Sequence, residues 1–120
     1  MSGGDTTRIA ELNDRFRAAF GSPSISGGVP GSIVITSGVG DLEPIIQAKV
    51  FASIAVFDAF TEDNDPYGEH DFGAVDIDGA GKIFWKIDYY ADDQLIYGSE
   101  APDDLEKSYR VMTIMLANDY

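Results

Sequence analysis

The sequence predicts an α+β domain: an antiparallel sheet, a β-meander of about four to five strands, packed with N-terminal, middle and C-terminal helices. Three observations predict it. Apolar residues recur at helical spacing near both ends of the chain, two strand-like runs in the second half flank a glycine-rich reversal, and no apolar run reaches membrane-spanning length. With 120 residues and no cysteine, the chain forms one domain, 1–120, whose core is held by packing rather than by disulfides or thiolate metal sites.

The opening helix is expected from Thr6 to Phe20, after a flexible stretch 1–5. Ile9, Leu12, Phe16, Ala19 and Phe20 form its stripe, Asp5 or Thr6 is available as N-cap, and Arg8, Arg15 and Arg17 fall largely on the other face. Residues 21–31, rich in Gly, Ser and Pro, read as a loop, flexible at Gly27-Gly28. Ser32 to Thr36 reads as a strand and Gly38 to Gly40 as a turn. Between Asp41 and Phe60 the pattern fits two states, and we read a helix from Leu42 to Ala52 passing into a strand from Ile54 to Asp58. Asp41 would cap that helix, with Pro44 in its first turn.

Phe72–Ile77 and Lys82–Tyr90 flank Asp78-Gly79-Ala80-Gly81 as a hairpin. By the period of two, Ile83, Trp85, Ile87 and Tyr89 share one face and Phe84, Lys86, Asp88 and Tyr90 the other. Trp85, Ile87 and Tyr89 are most simply core, and Lys86 and Asp88 are placed to pair. Ala91-Asp92-Asp93 is a turn before a short strand from Gln94 to Tyr97. A closing helix is expected from Asp103 to Ala117, with Leu105, Tyr109, Met112 and Leu116 as its stripe.

Charge is the strongest functional signal. The net −13 is concentrated in residues 58–104, where fourteen acids stand against Lys82 and Lys86, leaving −12 in that segment. Such a segment repels phosphate backbones, which argues against direct nucleic-acid or anionic-membrane binding and favours cations or a basic protein surface. With no signal-peptide pattern at Met1–Thr7, the expected location is the cytoplasm.

The densest part is Glu62 to Gly73, with five carboxylates and the only histidine. It supports three readings. As a calcium loop, Asp63-Asn64-Asp65-Pro66-Tyr67-Gly68 begins correctly, but the twelfth position, which should be a bidentate acid, is Ala74. As a magnesium, manganese or catalytic site, Asp63, Asp65, Glu69 and Asp71 would supply the ligands. Asp65, Glu69, His70 and Asp71, with Lys86 or Asp88 assisting, would form a small metal-assisted hydrolase. Against this, strand parity would set Glu69 and Asp71 on one face and His70 on the other. As structure, Asp65-Pro66-Tyr67-Gly68 is a turn leading into the hairpin. No Ser-His-Asp order, phosphate-binding loop or dinucleotide fingerprint is present.

Asn64 to Gly73, then Ile83-Phe84-Trp85-Lys86-Ile87-Asp88-Tyr89-Tyr90, Tyr97-Gly98-Ser99 and Arg110 to Ala117 resemble the signature of the bacterial domain-of-unknown-function family numbered 3768. The resemblance implies small single-domain proteins near mobile genetic elements, a context pointing to anti-defence roles of anti-CRISPR or anti-restriction type, and it implies no activity. Because the charge segregation is a fact of the sequence while a catalytic constellation is conjecture, the favoured expectation is a non-enzymatic inhibitor or interaction protein without cofactor, in which Glu62, Asp63, Asp65, Tyr67, Glu69, Asp71, Asp88, Tyr90, Asp92, Asp93 and Tyr97 face a basic, nucleic-acid-binding protein as a nucleic-acid mimic.

Overall fold

A computed structural model describes residues 5–20 and 27–119. The expected N-terminal stretch before Asp5 and most of the 21–31 loop lie outside the described residues. Helix α1 spans Thr6–Ala18, and Asp5 is its cap, accepting hydrogen bonds from the N–H groups of Thr7 and Arg8 at 2.9 and 3.4 Å. Its buried stripe carries Ile9, Leu12 and Phe16 as expected, but also Asn13 and Arg17. Arg17 is thus not on the outer face: it stands one turn after Asn13 at i+4, inside the stripe, and its charge hid that position from an apolarity count.

Strand β1, Gly31–Ile35, agrees with expectation to one residue. The turn expected at Gly38–Gly40 closes as a short helix α2, Ser37–Gly40, with Asp41 at its C-terminal end. Asp41 therefore does not cap the next helix. Helix α3, Pro44–Ala55, instead follows Glu43, which makes no side-chain cap bond, and begins with proline, whose missing N–H is harmless in a first turn. The strand expected at Ile54–Asp58 does not form, because Ile46, Val50 and Ile54 continue one helical stripe into the core and outweigh the β-propensity of the branched residues.

The hairpin is as predicted. Strand β2, Phe72–Ile77, pairs with β3, Gly81–Tyr90, and both Gly79 and Gly81 of the reversal adopt positive φ. Gln94–Tyr97 does not form a strand; only an isolated Tyr90–Gly98 bridge marks the place.

The largest correction concerns the C-terminus, where Tyr109–Leu116 is strand β4 rather than a helix. It lies between β3 and β1 in the sheet order β1-β4-β3-β2, antiparallel to β3 and parallel to β1, so the four-stranded sheet is mixed rather than purely antiparallel. An interior strand buried on both faces is apolar nearly throughout, as Arg110, Val111, Met112, Ile114 and Met115 show by their burial. Any such run contains residues three and four apart, which produced the false helical stripe.

The core lies on one face of this sheet. Leu12, Phe16, Val39, Val50 and Ile54 meet Ile77, Ile83, Trp85, Ile87, Met112 and Ile114. Trp85 sits over Gly73, where a Cβ would lie 2.5 Å from its indole nitrogen. Close approach, not a turn, therefore demands glycine there.

Candidate functional site: the acidic end of the sheet

Strand register gathers the acidic loops. Phe72 opposes Lys86, Tyr90 opposes Tyr109, and Gly31 opposes Arg110. The loop before β2 and the long connection from β3 to β4 therefore leave the same end of the sheet. Glu62, Asp63, Asp65, Glu69 and Asp71 come from the first, and Asp92, Asp93, Glu100, Asp103 and Asp104 from the second. Asp76 and Asp78 lie toward the opposite end, at the hairpin reversal.

A buried polar network fixes this end. The fully buried Asn13 amide donates to the Glu69 carbonyl at 2.9 Å and to the Tyr89 hydroxyl at 2.8 Å, and accepts from Arg110 Nε at 2.6 Å. Tyr89 in turn donates to Glu69 Oε1 at 2.8 Å. The rest of the Arg110 guanidinium donates to Ser108 Oγ and the Pro102 carbonyl and lies over the Tyr89 ring. Burial lowers the Arg110 pKa and raises that of the Tyr89 hydroxyl. A buried cation and a half-buried carboxylate are thus linked through two neutral side chains, which is how a charge is tolerated inside a core.

Beside it, Asp65 is buried and accepts from the backbone N–H groups of Glu69 and His70 at 3.1 and 3.2 Å, closing the turn whose Gly68 has positive φ. His70 itself adopts a positive φ. Its ring stacks on Phe60, centroids 3.9 Å apart, and its Nδ1 lies 2.9 Å from Asp14. The strand begins only at Phe72, so the expected alternation does not govern residues 69–71. His70 instead meets Asp14 and, at 3.8 Å, Asp65. Arg17 completes the layer, donating to the carbonyl of Ile54 in the last turn of α3, to that of Phe57 just beyond it and to Asp14, while lying over the Phe60 and Trp85 rings. Burial lowers its pKa, against the pull of Asp14. A cation at a helix C-terminus satisfies carbonyls that have no partner within the helix.

The predicted partner-facing residues divide into two groups. Glu62, Asp63, Tyr67, Asp92, Asp93 and Tyr97 are exposed, Tyr67 and Tyr97 at 80% and 75%. Asp65 is buried with its carboxylate occupied, Glu69 is turned inward to Tyr89, and Asp88 pairs with Lys86 at 2.7 Å beside a half-buried Tyr90. Asp71 is half-buried, and burial, then Glu69, raises its pKa. Of the hydrolase set, Asp65, Glu69, His70 and Asp71 share one loop, with Asp65 and Glu69 committed to the turn and to Tyr89, while Lys86 and Asp88 pair with each other on the strand face opposite the core. Among the described residues no three His, Asp or Glu side chains are arranged to hold a metal ion.

Sequence reasoning missed Asn13, Asp14, Arg17, Phe60 and Arg110, which hold the loop. Polar residues inside an apolar stripe were the available signal for Asn13 and Arg17. It also read Leu95-Ile96-Tyr97 as strand, whereas these residues form an exposed loop tip, with Leu95 at positive φ and Ile96 70% exposed. Beside that tip an open cleft of about 420 Å³ is lined by Ala91, Tyr97, Gly98, Glu100, Ala101 and Lys107. No helix among the described residues is long and apolar enough to cross a membrane.

A family model described as "Protein of unknown function (DUF3768)" matches residues 35–119, from the end of β1 through β4. No curated protein and no solved structure matches.

Proposed function

The chain belongs to the DUF3768 family of proteins of unknown function, and we propose that it is a small acidic interaction protein whose carboxylate-rich sheet end docks on a basic surface of a nucleic-acid-binding protein and occludes it. The observation that carries this reading is the division of labour at that end. Glu62, Asp63, Asp92 and Asp93 are exposed and enter no ion pair among the described residues, while Asn13, Asp65, Glu69, Tyr89 and Arg110 hold the loop behind them. A carboxylate array fixed in advance loses less entropy on docking and can stand in for a row of phosphates. Tyr67, Ile96 and Tyr97 supply apolar area among the acids, the mixture that anchors an interface otherwise driven by charge. Inhibition of a defence nuclease or restriction enzyme is the role this chemistry suits best.

The test is affinity capture at low ionic strength. A basic, nucleic-acid-binding protein should be retained, should be released by moderate salt as screening shortens to about 8–10 Å, and should be displaced by duplex DNA. Retention of neutral or acidic proteins that resist salt and DNA would overturn the reading.

A further inference from the structure

Strand β1 terminates the sheet, and the direction of its backbone groups follows from two hydrogen bonds. Arg110 N–H donates to the Pro30 carbonyl at 3.1 Å and Thr36 N–H donates to the Ile114 carbonyl at 3.0 Å. In a parallel ladder of this register, Ser32, Val34 and Thr36 turn their backbone groups toward β4, and the N–H and C=O groups of Gly31, Ile33 and Ile35 point away. Nothing among the described residues bonds that outer side.

The two edges of the sheet differ in their protection. The β2 edge is bracketed by Asp71, Asp76 and Asp78, charges of the kind that keep an edge from recruiting another strand. The β1 strand itself carries none: residues 31–40 contain no ionisable side chain, in a chain of net charge −13, and Val34 and Ile35 are 46% and 39% exposed; a carboxylate stands only past the strand's end, where Asp119 accepts from Thr36 Oγ1 at 2.7 Å. Proline within the strand and a β-bulge, the other usual guards, are also missing between Gly31 and Ile35.

We propose that this edge pairs with the β1 of a second copy, antiparallel about a two-fold axis at Ile33, to make one continuous eight-stranded sheet. The register is self-complementary. Ile33 opposes Ile33 of the second copy and Gly31 opposes its Ile35, so all three outward-facing residues fall in hydrogen-bonded pairs and about six N–H···O bonds form. Charge selects both the partner and the direction. A second copy can approach the first without opposing carboxylates only at an uncharged surface, and antiparallel pairing sends the two acidic ends to opposite ends of the joined sheet, where a parallel pairing would bring them together. The pairing leaves the acidic end open and does not depend on what docks there.

The experiment is analytical ultracentrifugation of the full chain over about 1 to 500 μM, with two sets of variants. Wild type should reach twice the chain mass. Ile35→Pro removes an N–H that serves no bond within one copy and sets a ring in the path of the incoming strand, so self-association should weaken at least about tenfold while the circular dichroism spectrum is kept. Register is read separately, and serves also if Ile35→Pro does not fold. In this pairing Ser32 faces Val34 of the second copy in a non-hydrogen-bonded pair, where Cβ atoms are close. The chain has no native cysteine, so an oxidised mixture of Ser32→Cys and Val34→Cys should form the mixed disulfide dimer well above either variant alone. A wild type that is monomeric throughout the range, or a dimer indifferent to Ile35→Pro with no preference for the mixed disulfide, would overturn the proposal.

Discussion

Asn13→Ala removes the side chain on which three elements converge at the acidic end. Its amide makes three hydrogen bonds of 2.6 to 2.9 Å in a fully buried position, one of them from the charged guanidinium of Arg110. Truncation leaves Arg110 Nε and the Glu69 carbonyl without partners in a site too enclosed to rehydrate easily. A buried donor or acceptor left unsatisfied costs about 1 to 3 kcal/mol, more when charged, so the expected loss is about 3 to 5 kcal/mol. With an unfolding entropy of about 2.1 cal/mol/K per residue, this chain has about 0.25 kcal/mol/K in total, and the melting temperature should fall by about 12 to 20 °C. Urea unfolding followed by circular dichroism measures the loss directly, and the m-value should not change. Tyr89→Phe removes the hydroxyl that both accepts from Asn13 and donates to Glu69. The double variant should therefore show coupling of at least about 0.5 kcal/mol. A loss below about 1 kcal/mol for Asn13→Ala, or additivity with Tyr89→Phe, would refute the view that the network holds this end together.

Three further outcomes follow from the same contacts. The Asp71 carboxyl is raised above its ordinary 3.8 by burial and by Glu69, so folding favours its protonated form, and the stability it contributes is present below about pH 3.8 and lost as pH rises through the raised value. Asp71→Asn should therefore raise the melting temperature by about 2 to 5 °C at pH 7, with the gain vanishing as pH falls toward 3.8; a gain independent of pH would contradict this. Gly73→Ala should cost about 1 to 3 kcal/mol by driving a methyl into the Trp85 ring, and the fluorescence of this single tryptophan should shift with it. Arg17→Leu should cost about 2 to 4 kcal/mol in urea unfolding, since the Phe57 carbonyl loses its side-chain donor and the Ile54 carbonyl keeps only the Phe57 N–H, although Arg17 Nη1 itself has no hydrogen-bond partner.

Local signals were legible where they were redundant. The hairpin combined alternation, β-branched and aromatic residues and two glycines at the reversal, and Asp5 combined a capping side chain with an apolar stripe behind it. Legibility failed where burial on both faces erased periodicity: Tyr109–Leu116 is apolar enough to satisfy either period, and only its place between β3 and β1 decides that it is a strand. The parallel pairing of β1 with β4 joins residues about eighty apart, and no local pattern encodes it. At the acidic end, the exposed carboxylates could be read from charge alone. Their anchors could not, because Asn13, Arg17 and Arg110 satisfy groups brought beside them by the tertiary fold.

The most direct test of the docking account is the binding kinetics of a captured basic partner with wild type and with the variant Glu62→Gln, Asp63→Asn, Asp92→Asn, Asp93→Asn. All four side chains are exposed, so the fold should be kept. The account predicts that the association rate falls at least about tenfold and that its dependence on salt flattens, with a smaller change in dissociation. An association rate and salt dependence equal to those of wild type would contradict it.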